Sequence, residues 1–180
     1  MNQKKTGKPY RSADDETLEV LDENNAPLLL MPRKAATRQN LRLKVVLIVV
    51  RNKEGKIYVH QRSHRKSTYG GSWGVSAAGY VKAGESFEDA ALRELAEELS
   101  VTSVNLTLAA ITKPSPATDN SLVALFISNP AQVLIVPDPE EIAGGMFIDR
   151  DELEAMLRDL PELIAPSLSW AAQSCDLFNF

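Results

Sequence analysis

GYVKAGESFEDAALRELAEELSV, residues 79–101, ends in a run that predicts a helix with Glu94, Glu97 and Glu98 crowded together. Successive helical residues turn by about 100°, so positions i, i+3 and i+4 share roughly a 100° arc. Like charges at that spacing destabilise an isolated helix by about 0.2–0.5 kcal/mol per pair, so something outside the helix must compensate, and a divalent cation would. Leu92, Leu95 and Leu99, with Phe87 and Ala91, fill the neighbouring arc and predict a buried stripe, with the carboxylates facing a cleft beside it. Ser86 has the chemistry of an N-cap, Asp89 follows three residues later, and Gly84 gives the chain freedom to turn in. Arg93 stands four residues before Glu97 and eight after Glu85, within reach of a forked ion pair with either.

Upstream, residues 73–80 (WGVSAAGY) predict a strand feeding directly into this unit, with Ala77, Ala78 and Gly79 small enough for the backbone to approach the carboxylates. Residues 41–51 are rich in β-branched side chains, and residues 57–62 alternate apolar with polar ones. The Gly55 turn between them predicts a hairpin. The loop after it concentrates Arg62, His64, Arg65 and Lys66 among glycines, a setting suited to phosphate; Arg62, Arg65 and Lys66 are the candidate substrate-binding residues. His60, on the alternating strand, reads as structural. Residues 17–21 and 28–31 predict a further antiparallel hairpin around Asn24-Asn25, whereas residues 1–15 are polar and aperiodic and read as a flexible tail.

Downstream, residues 104–112, 122–127 and 133–136 predict strands, and the proline-containing loop 113–120 is placed to shape a pocket. Glu140 and Glu141 precede a glycine pair and a strand at 146–148, which makes them candidates for an additional loop ligand or base. Asp149 with Glu152 predicts a capped helix ended by Pro161. A last helix is expected over 166–177, with Trp170 and Phe178 as packing residues.

The 180 residues, 44% of them hydrophobic, suffice for one core. A net charge of -4 gives no footprint for a nucleic-acid polymer or an acidic membrane. Cys175 is the only cysteine, and the longest apolar run, 45–50, is too short for a bilayer, so a cytoplasmic location is expected.

Residues 79–101 resemble the Nudix box, G-x5-E-x7-R-E-U-x-E-E-x-G-U with U aliphatic. Gly79, Glu85, Arg93, Glu94, Leu95, Glu97, Glu98 and Val101 match, and Ser100 stands where the family has glycine. The resemblance implies an α/β/α sandwich with a mixed sheet, here a single domain over 16–180 with an N-terminal antiparallel hairpin extension at 16–40. It further implies a metal-dependent hydrolase of a diphosphate linkage in a nucleoside diphosphate joined to another group. The metal would be Mg2+, with Mn2+ as a substitute. Carried over residue by residue, Glu94, Glu97, Glu98 and a backbone carbonyl at Ala78 or Gly79 become metal ligands. Glu94 or a loop glutamate becomes the base, and Glu85 and Arg93 become orienting partners. The partner class is a small-molecule nucleotide or phosphorylated metabolite, and homodimers are common among such proteins.

Two other readings stand beside this one. A non-catalytic nucleotide sensor is the first. The second is an isopentenyl-diphosphate isomerase, whose entry segment residues 18–34 resemble. The cysteine and histidine of those enzymes are replaced here by residues such as Ala78 and Tyr80.

Overall fold

The computed structural model describes residues 16–180; the tail expected over 1–15 lies outside the described residues. Strands β1 (Thr17–Leu21) and β2 (Pro27–Pro32) form the expected antiparallel hairpin. Its turn places Asn25 at φ 63°, and the Asp22 carboxylate accepts the backbone N–H groups of Asn24 and Ala26. A short helix the sequence reading did not anticipate, α1 (Arg33–Arg38), follows at once. Leu18, Val20, Ala36 and Leu43 bury together and fasten hairpin and helix to the rest of the chain.

The main body contains β3 (Lys44–Val49), β4 (Ile57–Arg62), β5 (Trp73–Gly74), β6 (Ala77–Tyr80), α2 (Phe87–Leu99), β7 (Leu106–Thr112), β8 (Leu122–Ser128), β9 (Ile142–Ile148), α3 (Arg150–Asp159) and α4 (Pro166–Ser174). One sheet runs β6-β3-β8-β7 and the other β5-β4-β9. The first is mixed, because β3 lies parallel to β8, from Lys44 opposite Leu122 to Val49 opposite Ile127, and antiparallel to β6. Side chains of β3 alternate between two cores. Val46 and Ile48 pack with Ala77, Leu95, Leu99 and Phe126 beneath α2, whereas Leu47 and Val49 pack with Leu125, Ile127, Leu153 and Leu168 towards α3 and α4. A mixed sheet between helical layers is the architecture the sequence implied.

Three local expectations fail for identifiable reasons. The Gly55 turn forms and joins the two segments through an antiparallel bridge between Arg51 and Ile57 and the Tyr58 N–H to Val50 carbonyl bond, but β3 and β4 do not pair along their lengths and belong to different sheets. A strand buried on both faces is a central strand, and both edges of β3 are taken by β6 and β8. The strand expected over 73–80 is broken at Ser76, which is fully buried; its hydroxyl donates to Tyr58 O and accepts the Val50 N–H, so the chain steps from one sheet to the other there. Residues 133–136 alternate as expected, with Val133 and Ile135 against the core and Leu134 and Val136 exposed, yet they join no sheet. Their backbone serves the end of α2 instead: Val136 N–H donates to Leu99 O and Asp138 N–H to Glu98 O, two carbonyls a helix end leaves orphaned.

Candidate active site

Ser86 caps α2 as its chemistry suggested, its hydroxyl accepting the Asp89 N–H at 3.1 Å. Buried residues of α2 are Ala90, Ala91, Leu95 and Leu99, together with Glu98; Leu92, expected in the stripe, is exposed. At the other end Ser100 occupies the left-handed region with φ 56°, and the Val101 N–H returns to the Leu95 carbonyl. The family glycine is therefore replaced at a position that favours glycine, and the turn forms all the same.

The carboxylates do not share one environment. Glu98 is buried, and its Oε2 has no hydrogen-bond partner. Burial pushes its carboxyl well above the usual range, the charges of Glu94 and Glu141 push the same way, and Arg62 and the Ala78 backbone N–H oppose them. Glu94 is also largely buried, which raises it to about 7 against the pull of Arg93. Glu97 is half exposed and lies beside Arg93 at 3.1 Å and Lys82 at 3.9 Å.

Arg93 gathers these groups. Its Nε and Nη2 fork onto Glu85 at 2.8 and 3.0 Å, Nη2 also donates to Tyr80 O, and Nη1 donates to both Glu94 and Glu97. Burial works against the guanidinium charge, but Glu85 and Glu94 outweigh it and hold Arg93 firmly protonated. Burial likewise opposes the Glu85 charge, and Arg93 with the Lys82 N–H brings that carboxyl below its ordinary value. Gly79, on β6, faces Glu94 so closely that a Cβ there would overlap the carboxylate.

A cavity of about 520 Å³ opens beside Glu98. Arg62 and Lys66 line it, as do Ala78 and Gly79. Arg65 does not; it is exposed and paired with Glu140 at 2.9 Å. Glu141 pairs with Lys66, and its charge acts on Glu98, so of the two loop glutamates it is Glu141 that faces the cluster. Part of the wall comes from residues outside those expected to bind substrate. Arg33 and Thr37 of α1 contribute to it, with the Arg33 guanidinium 4.8 Å over the Tyr80 ring, and Trp170 and His60 line it although both were read as structural. The run Pro32-Arg33-Lys34 was a usable signal for the first of these, since proline opening a short basic segment favours a helix start. Loop 113–120 does shape the cavity, through Ala117, Thr118 and Asp119.

The donor set suits a hard divalent cation: oxygen ligands only, one of them buried without a partner, beside a strand with no side chain in the way. Among the described residues no three acidic, histidine or cysteine side chains already converge to hold an ion. Arg93 accounts for this, drawing Glu94 and Glu97 onto itself and leaving Glu98 alone.

Residues 41–171 match the model of the NUDIX domain. An uncharacterized Nudix hydrolase of Streptomyces coelicolor is 37% identical over 156 residues, 81% of this chain and 81% of that one. The crystal structure of DR0079 from Deinococcus radiodurans superposes with a TM-score of 0.76 at 23% identity, covering 89% of this chain and all of that one. The NUDIX domain of Shewanella oneidensis NrtR, complexed with ADP ribose, superposes with a TM-score of 0.57 at 18% identity over 74% of this chain and 85% of that one.

Proposed function

Since this chain belongs to the NUDIX family, whose model spans residues 41–171, we propose that it hydrolyses the diphosphate bond of a nucleoside diphosphate joined to a second group, with Mg2+ or Mn2+ as cofactor. The observation that carries this reading is Glu98 Oε2, buried and unpartnered on the wall of a cavity that Arg62 and Lys66 also line. A carboxylate left in that state is costly unless a cation joins it.

In this reading Glu94, Glu97, Glu98 and the Ala78 carbonyl hold the ion. When bound, it supplies charge neutralisation at the phosphates and a more acidic coordinated water. Arg62 and Lys66 bind the non-bridging phosphate oxygens and orient the diphosphate. Glu94 takes up the proton of the attacking water, and Glu141 is the alternative base because it pairs with Lys66 on the cavity wall and its charge acts on Glu98. Glu85 fixes Arg93, and Arg93 fixes Glu94, so these two are positioning residues. Among the described residues no helix is long and apolar enough to cross a membrane, and the lone cysteine agrees with a cytoplasmic setting.

The test is a panel of ADP-ribose, nucleoside diphosphate sugars, dinucleotides, coenzyme A and nucleoside triphosphates with Mg2+ or Mn2+. Glu98→Gln and Glu94→Gln are expected to lower turnover by at least about a hundredfold while retaining the fold. Full activity in both variants would overturn the assignment. Tight nucleotide binding with no product from the parent would favour the sensor reading.

A further inference from the structure

His60 is 6% exposed on β4, two residues before Arg62. Its Nδ1 lies 3.0 Å from the Ser76 carbonyl. A carbonyl only accepts, so Nδ1 carries the proton, and in a neutral ring Nε2 is left as an acceptor. Burial favours that neutral form, which the carbonyls of Ser76 and Val75 oppose and the charge of Arg62 reinforces. No hydrogen bond to Nε2 exists among the described residues. The Nε2–Cε1 edge lies over Gly74, where a Cβ would sit 3.6 Å from Nε2 and 3.7 Å from Ser167 Oγ. His60, Gly74 and Ser167 all line the cavity. A packing histidine needs none of this: the ring is tied by one nitrogen and presents the other, unspent, to a space large enough for a nucleotide-sized ligand.

We propose that His60 is a specificity-determining residue whose Nε2 accepts a hydrogen bond from a hydroxyl of a sugar bonded directly to the diphosphate. His60 stands two residues from Arg62 on β4 and both line the cavity, which places the acceptor at its phosphate-holding end, where the first carbon-bearing group beyond phosphorus must lie. This rests on the diphosphate reading above and narrows it: substrates carrying a sugar hydroxyl next to the diphosphate are selected over those with an alkyl or deoxy group there. A buried acceptor left unpaired by the wrong substrate provides the discrimination.

His60→Asn keeps an amide donor near the Ser76 carbonyl and removes the Nε2 acceptor, so it tests the proposal without emptying the wall. His60→Gln returns an amide to the Nε2 position. Calorimetric titration of metal-free protein would use ADP-ribose and two analogues that each lack the sugar hydroxyls of one arm, β-methyl-ADP and 2′,3′-dideoxyadenosine diphosphate ribose. The parent is expected to bind ADP-ribose about tenfold more tightly than one of the two analogues. His60→Asn abolishes that preference with little change for the disfavoured analogue, and His60→Gln restores part of it. Equal weakening of all three probes, or a preference that survives in His60→Asn, would overturn the proposal, as would a parent with no preference. These affinities are read without metal or turnover, so failure of the hydrolase assignment would appear separately, as absence of product from every diphosphate in the panel.

Discussion

Gly79 and Glu94 are fitted to one another: the space a Cβ at residue 79 would need is filled by the Glu94 carboxylate. Gly79 is not among the positive-φ residues, so glycine is required there for room and not for backbone freedom. It follows that Gly79→Ala displaces Glu94 from its bond with Arg93. Because a glutamate side chain can swing away, the expected stability cost is under about 1.5 kcal/mol by urea unfolding, while turnover falls by about 10–100-fold. A fully active Gly79→Ala would show that Glu94 does not need its observed position.

The carboxylates predict how pH and metal act together. Glu94 is raised to about 7 by burial, so its contribution to stability is fully present below its unfolded value near 4.5 and is lost as pH rises through 7. Glu98 shifts in the same direction. A cation offsets the charges that appear over this range. The rise in melting temperature on adding Mg2+ should be small at pH 5 and grow steadily to pH 8, and chelation should reverse it. A pH-independent shift would count against binding at these glutamates.

Ser100 in a left-handed conformation is an opportunity for stabilisation. Ser100→Gly removes a steric cost of about 1 kcal/mol and should raise the melting temperature by about 2–4 °C. Turnover should not change, because Ser100 does not line the cavity.

Among the basic loop residues, position separates roles. Arg62→Ala and Lys66→Ala should each raise KM by about tenfold with the fold intact. Arg65→Ala should leave both KM and stability near the parent, since its exposed pair with Glu140 is worth under about 1 kcal/mol. Steady-state kinetics on the three variants decides this.

Much of the site was readable in residues 79–101. The helix and its Ser86 cap follow from local spacing, which a helix imposes over a few residues, and the Arg93 fork reaches back from it to Glu85 just before the cap. Even the burial of Glu98 was there to be read, since it falls about 20° from Ala91 at 100° per residue. The partition of strands between sheets was not. Whether β3 pairs with β4 or with β6 and β8 depends on which edges remain open after the chain has returned from far along the sequence, and alternation alone carries no such information. The contributions of His60 and Trp170 were hidden for the same reason: each reaches the cavity from a different element, and only the tertiary arrangement brings them to a common wall.

The parallel pairing of β3 with β8 has a bearing on how the molecule assembles. At its end the Arg51 N–H meets Ser128 Oγ across 77 residues, and the strands, turns and helix that bear the acidic groups are strung inside that span. Closing so long a loop is entropically slow and is rewarded only on completion. Catalytic competence should therefore emerge late in refolding, in step with the last burial of the central strands, and a nascent chain that stops short of residue 122 should hold no organised acidic centre.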